Sequence, residues 1–199
     1  MTIPTTPPTE AFELIERIRQ GDGGAFTLLF EKYKRRLTIL IYYKLDPKRR
    51  LPEDVEEILQ ETFLGAFEDL AQFQYRSPGS FLNWLSRIAE HVIADGARFQ
   101  NRQKRSGGHA TRFRSESNPN GPEPEVSITP SRILIQKQEV EILLGKLNDL
   151  PPHYREVLLA KIEGLSTKEM AERFGKPRES VALLLHRAVR RFRELQSPQ

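Results

Sequence analysis

Apolar residues recur at steps of three and four along most of this chain, and no stretch alternates long enough to predict a useful strand. Residues 1–10, rich in Thr and Pro and without periodicity, predict a disordered lead. Phe12, Ile15 and Ile18 then form a short stripe, which Phe26, Leu29, Phe30, Tyr33, Leu37, Leu40 and Ile41 continue. Val55, Ile58, Leu59, Thr62, Phe63, Ala66, Phe67 and Leu70 make the cleanest amphipathic face. A fourth helix is predicted from near Ser80 through Phe81, Trp84, Leu85, Ile88, Val92 and Ile93 towards Arg98.

Residues 106–130 lose the stripe and gather Gly, Pro, Ser and Asn, which predicts a flexible linker and a domain boundary. Beyond it a helix is expected from about Ser131 to Leu147, with a break at Leu150-Pro151-Pro152. The next helix carries Tyr154, Val157, Leu158 and Ile162 and stops at Gly164. Ser166 and Glu169 have the spacing of a capping box, and Leu165 and Met170 that of a hydrophobic staple, so another helix begins at Ser166. Phe174-Gly175-Lys176-Pro177 breaks it, and Pro177 opens a last helix through Phe192. The expected fold class is all-α: two small helical domains, 11–105 and 131–199, joined by the linker, the second a helix-turn-helix domain.

Composition narrows the functions. The 199 residues are 38% hydrophobic and 29% charged, and no apolar run approaches the ~20 residues of a membrane span, so no membrane insertion is expected. The N-terminus lacks a basic start followed by an apolar stretch, which predicts no signal peptide and a cytoplasmic location. Without cysteine there are no disulfides, thiol nucleophiles or thiolate zinc sites. His91, His109, His153 and His186 are too dispersed for a metal pair, and no cofactor is expected.

The net charge of +4 conceals a segregation. Arg87 to Arg114 holds seven bases against Glu90 and Asp95, and Lys176 to Arg193 holds six against Glu179 alone. Glu53 to Tyr75 holds seven acids and no base. Two positive surfaces and one negative surface suggest two kinds of partner.

Three constellations follow. Ala171, Gly175 and Val181 are spaced for the close crossing, relaxed turn and apolar lock of a helix-turn-helix. Its second helix would show Arg178, Glu179, Ala182, Leu183 and His186 to a major groove, while Arg187, Arg190 and Arg191 reach phosphates. The alternative is an ordinary helical hairpin with a solvated basic face. In the acidic helix, Glu57, Gln60, Glu61, Leu64 and Glu68 oppose the apolar stripe, which suits a basic protein partner or simply a solvated face. Around Arg76-Ser77-Pro78-Gly79-Ser80, the aromatics Phe73, Tyr75, Phe81 and Trp84 lie beside Arg76 and Arg87. They could stack on unpaired nucleotides, although periodicity alone favours core roles for Phe73, Phe81 and Trp84.

The order of these parts, carried by GDGGAFTLLFEKY, DVEEILQETFLGAF, FQYRSPGSFLNWLSRIAEHVIAD and LNDLPPHYREVLLAKIEGLSTKEMAERFGKPRESVALLLHRAVRRF, resembles the extracytoplasmic-function (ECF) class of bacterial sigma factors. The resemblance implies that Asp54, Glu57, Gln60, Glu61 and Leu64 dock on core RNA polymerase. It implies that Phe73, Tyr75, Arg76, Ser77, Ser80, Trp84, Arg87 and His91 meet a flipped base and neighbouring DNA of the minus-ten element. It further implies that Lys168, Lys176, Arg178, Glu179, Ala182, Leu183, His186, Arg187 and Arg190 meet the minus-35 duplex. Members of the class are usually held inactive by an anti-sigma factor, a further implied partner. The chain departs from the class in carrying His91 where Asn is frequent. It also has Ala182, Leu183 and Leu184 after Val181, which leaves upstream readout to Arg178, Glu179 and methyl contacts with thymine.

The expected function is therefore promoter recognition and opening by a non-catalytic factor that binds core polymerase. Two rivals stand beside it. One is a helix-turn-helix regulator that never meets single-stranded DNA, and the other a carboxylate metal site of Asp54, Glu57 and Glu61, which lacks a Glu-x-x-His partner.

Overall fold

The computed structural model describes residues 10–106 and 130–195, the side chains of 49, 99–106 and 130–137 excepted. The predicted lead and linker lie outside the described residues but for their edges. All regular structure within the described residues is helical: α1 (Glu10–Arg19), α2 (Gly23–Lys44), α3 (Pro52–Asp69), α4 (Ser80–Ser106), α5 (Pro130–Asn148), α6 (Pro152–Glu163), α7 (Thr167–Phe174) and α8 (Arg178–Glu194).

Local chemistry fixes the helix ends. Asp22 caps α2 by accepting from the Ala25 amide at 3.1 Å, and its other oxygen takes two bonds from the Arg17 guanidinium at 2.9 and 2.7 Å. Pro52 and Pro152 open α3 and α6 in the first turn, where a missing amide hydrogen costs nothing. At α7 both halves of the predicted capping box form: the Ser166 amide donates to Glu169 at 2.7 Å and the Glu169 amide to Ser166 Oγ at 3.2 Å. Gly175 ends α7 at φ 60°, the left-handed bend that redirects the chain into α8.

Two hydrophobic clusters result. Ile15, Leu29, Leu37, Ile41, Leu59, Phe81, Leu82 and Leu85 are fully buried among α1 to α4. Leu147, Val157, Met170 and Val181 fill the second cluster, among α5 to α8. Arg155 donates to the carbonyls of Leu147, Asn148 and Leu150 at 2.9, 3.0 and 3.1 Å, satisfying acceptors that the end of α5 would leave open.

The clusters share α2. It packs against α1, α3 and α4 on one side and α5 and α6 on the other, and its Ile39 belongs to the second cluster. Polar contacts run across the same seam: Arg36 donates to the Ile162 carbonyl at 2.9 Å, and the Tyr43 hydroxyl to Asn148 Oδ1 at 2.8 Å.

The two supports of α7 differ in strength. Removing the cap with Ser166→Ala is expected to cost about 1 kcal/mol. Emptying the fully buried Met170 site with Met170→Ala is expected to cost about 2–5 kcal/mol. Denaturant unfolding of both variants checks that order, and equal losses would show that the staple site is not a packed core position.

Candidate nucleic-acid interface

The acidic face of α3 follows from its helical period. Val55, Ile58, Leu59, Thr62, Phe63 and Ala66 are buried, so Asp54, Glu57, Gln60, Glu61 and Leu64 emerge on the other side. Leu64 is 42% exposed, an apolar knob among carboxylates. Asp54, Glu57 and Glu61 line a shallow recess with Ile58, Val92, Ile93 and Gly96 of α3 and α4. Partial burial pushes the Glu61 carboxyl up, and the charges of Glu57 and Glu68 push the same way. Among the described residues no set of three His, Asp or Glu side chains is grouped to hold a metal.

The segment between α3 and α4 is shaped by Ser80. Its hydroxyl accepts from the amides of Arg76 and Ser77, both at 3.2 Å, and donates to the Ser77 carbonyl at 2.7 Å. Ser80 thus spends its hydroxyl on folding the loop, and Arg76 and Ser77 are exposed on the loop's outside. Behind the loop the aromatics divide. Phe73 and Phe81 are buried with ring centroids 5.3 Å apart, and Trp84 lies 4.8 Å from Phe73 and 5.6 Å from Phe81.

This corrects one candidate. Phe73 offers no free ring to a base, because its ring is a wall of the core and its carbonyl accepts from Arg19. Tyr75 is half-buried with its ring edge-on to Phe12 at 5.4 Å. Trp84, also half-buried, lines an open groove with Arg76, Ser77, Ser80 and Arg87. His91 is exposed one helical turn beyond Arg87 on α4.

In the C-terminal half, Val181 and Ala188 turn inwards from α8, which leaves Arg178, Glu179, Ala182, Leu183, His186, Arg187 and Arg190 exposed. Lys168 and Lys176 are exposed near the two ends of α7. Leu184 packs against the second cluster, whereas Leu183 is 50% exposed. The helix-turn-helix therefore presents one basic face with an apolar spot at its centre.

What sequence reasoning missed is the contact between these surfaces. The far wall of the groove is made by Gly164 and Glu169, from the end of α6 and from α7. Beside it, Glu163 is buried, accepting from Lys44 Nζ at 3.1 Å, Ser86 Oγ at 2.8 Å and Arg173 at 2.5 Å. Lys44 also pairs with Glu90 at 2.5 Å. A lysine-isoleucine-glutamate end before glycine reads as a solvated helix terminus, so no local signal marks Glu163. Burial alone would raise its carboxyl, but the Lys44 charge and the bonds from Ser86, Arg173 and Lys44 outweigh this and hold it below the ordinary range.

A profile of the family described as ECF sigma factor matches residues 8–195. The ECF RNA polymerase sigma factor BldN of Streptomyces coelicolor is 30% identical over 186 residues, which cover 92% of this chain and 64% of BldN. The ECF RNA polymerase sigma-E factor of Escherichia coli is 29% identical over 181 residues, 88% of each chain. Among solved structures, CnrH in complex with the cytosolic domain of CnrY is similar at a TM-score of 0.46 and 22% identity, covering 94% of this chain and 97% of that one. No described helix is long and apolar enough to cross a membrane.

The lowered Glu163 carboxyl gives the seam a pH dependence of known sign. A group whose folded value lies below its free value stabilises the docked state above the free value, and that contribution fades as pH falls through the folded value. Acidification below the ordinary carboxylate range should therefore loosen the two halves before the helices melt. An intramolecular distance followed against pH checks this, with Glu163→Gln expected to flatten the response; an unchanged response would assign the acid sensitivity to other carboxylates.

Proposed function

This chain belongs to the ECF sigma factor family, and on that premise we propose that it binds core RNA polymerase, recognises a minus-35 and a minus-ten promoter element, and promotes DNA opening. The observation that carries this reading is the groove beside the 76–80 loop, where Arg76, Ser77, Trp84 and Arg87 share one wall. Pulling a base from the stack costs a few kcal/mol, and an indole face with adjacent guanidinium groups offsets that cost.

In this reading a domain spanning 11–105 meets polymerase through Asp54, Glu57, Gln60, Glu61 and Leu64, with Leu64 as the apolar anchor. Its loop takes the minus-ten strand through Arg76, Ser77, Trp84, Arg87 and His91, with Tyr75 and Ser80 supporting the loop. A domain spanning 131–199 reads the upstream duplex. There Arg178 and Glu179 lie at the start of the recognition helix, Ala182 and Leu183 offer methyl contacts to thymine, and Lys168, Lys176, His186, Arg187 and Arg190 approach the backbone. The chain supplies binding energy and no catalytic group, since bond formation belongs to the polymerase. It would work in the cytoplasm, under the control of an anti-sigma factor.

Adding the purified full chain to sigma-free core polymerase tests the reading, with a stable complex and transcription from discrete starts expected. No complex, with duplex DNA still bound by the chain alone, would leave only a helix-turn-helix regulator. Leu64→Arg should weaken core binding about tenfold, a loss of about 1.4 kcal/mol. Trp84→Ala should reduce promoter opening about 5- to 150-fold while leaving upstream duplex binding intact. Arg187→Ala should lower the salt dependence of duplex binding by about one unit of slope, read from titrations at several ionic strengths.

A further inference from the structure

A half-open cavity of about 150 Å³ lies between α2, the start of α3 and α5. Thr38 and Tyr42 of α2, Pro52 and Val55 of α3, and Val140 and Leu144 of α5 form its walls, so the surface it offers is mostly hydrocarbon and ring. A cavity of that size with apolar walls accepts a guest as large as a benzene ring. None of these residues is among those assigned above to polymerase or to DNA.

The charges around the cavity select the sign of a guest. Lys34, Arg35, Arg50, Glu56 and Glu141 complete the lining. Lys34 is the most buried of them, 8% exposed, with its ammonium 5.4 Å from the centre of the Phe30 ring. A ring face attracts a cation but replaces the hydrogen bonds of water poorly, so an anionic group arriving beside Lys34 is favoured. Arg35 is turned to Glu139 at 3.1 Å. The Arg50 guanidinium lies 5.0 Å from the centre of the Tyr42 ring, and its Nε donates to the Leu45 carbonyl at 3.2 Å. A guest cation seeking the Tyr42 ring would meet that guanidinium. Glu56 and Glu141 offset two of the three bases, so the lining suits one negative charge and opposes a second.

We propose that this cavity is a binding site for a small monocarboxylate with a ring-sized apolar body. The body lies among Tyr42, Val55, Val140 and Leu144, and the carboxylate meets Lys34. One wall comes from α2 and α3 and the other from α5, so the guest touches both halves of the chain. Its site is lost if α5 leaves α2, and the bound guest therefore stabilises the seating of α5. The proposal stands apart from the polymerase and DNA readings.

Benzoate is the probe, with benzamide and benzamidine as its neutral and cationic counterparts of similar size. Isothermal titration of the full chain at constant ionic strength measures binding, and the methyl NMR signals of Val55, Val140 and Leu144 locate it. Benzoate should half-saturate the chain on the order of 1 mM, with benzamide about tenfold weaker and benzamidine weaker still. Lys34→Met keeps the apolar stem and removes the charge, and should weaken benzoate about tenfold while leaving benzamide unchanged. Val140→Trp, at a half-buried position, should fill the cavity and abolish binding of both. Saturating benzoate should raise the thermal unfolding midpoint of the parent and leave that of Val140→Trp where it is.

No binding of benzoate at about 10 mM, or equal binding of the three probes, would overturn the proposal. So would benzoate that binds without moving the Val55 and Val140 methyl signals, or that binds Lys34→Met as tightly as the parent. Methyl signals that move on dilution of the free chain, and not with benzoate, would give the cavity to a second copy of the chain and overturn it equally.

Discussion

The architecture depends on a helix that is apolar on two sides. Along α2 the residues Phe26, Leu29, Tyr33, Leu37, Leu40 and Ile41 face the first cluster, while Ile39 and Tyr43 face the second. A helix apolar on opposite sides must be covered on both. The N-terminal helices can cover only one, and α5 and α6 cover the other. The seam and the buried Glu163 both follow from that placement.

Much of the fold was legible because it is written in local rules. The stripe of α3, the stop at Gly164, the Ser166–Glu169 box and the prolines at helix starts each depend on residues within a turn or two of one another. The face of α8 was equally readable, since burial of Val181 and Ala188 decides which residues emerge. The double duty of α2 was not, because its extra apolar positions read as a continuation of one stripe. Glu163 was less readable still. Its partners Lys44 and Ser86 are distant in sequence, and a glutamate at a helix end is ordinarily solvated.

The aromatic cluster shows where periodicity and chemical resemblance disagree. Period alone sends Phe73, Phe81 and Trp84 inwards, whereas resemblance sends Phe73 and Trp84 to the DNA. Depth divides them: Phe73 and Phe81 form the floor, as period alone expects, and Trp84 rests on them, half-buried and lining the groove. A stacking surface needs such a floor, because an unsupported ring would lose rotamer freedom on every encounter.

The three bonds of Arg155 give α5 a mechanical character. By tying the guanidinium of α6 to the carbonyls of Leu147 and Asn148 at the end of α5 and of Leu150 just beyond it, they fasten the two helices to each other across Pro151. A helix of this length is a rod of about 28 Å. Because its last turn is fastened to α6 in this way, α5 belongs with the C-terminal half as one piece, and a displacement of α5 is carried to α6 and not absorbed at the Pro151 turn.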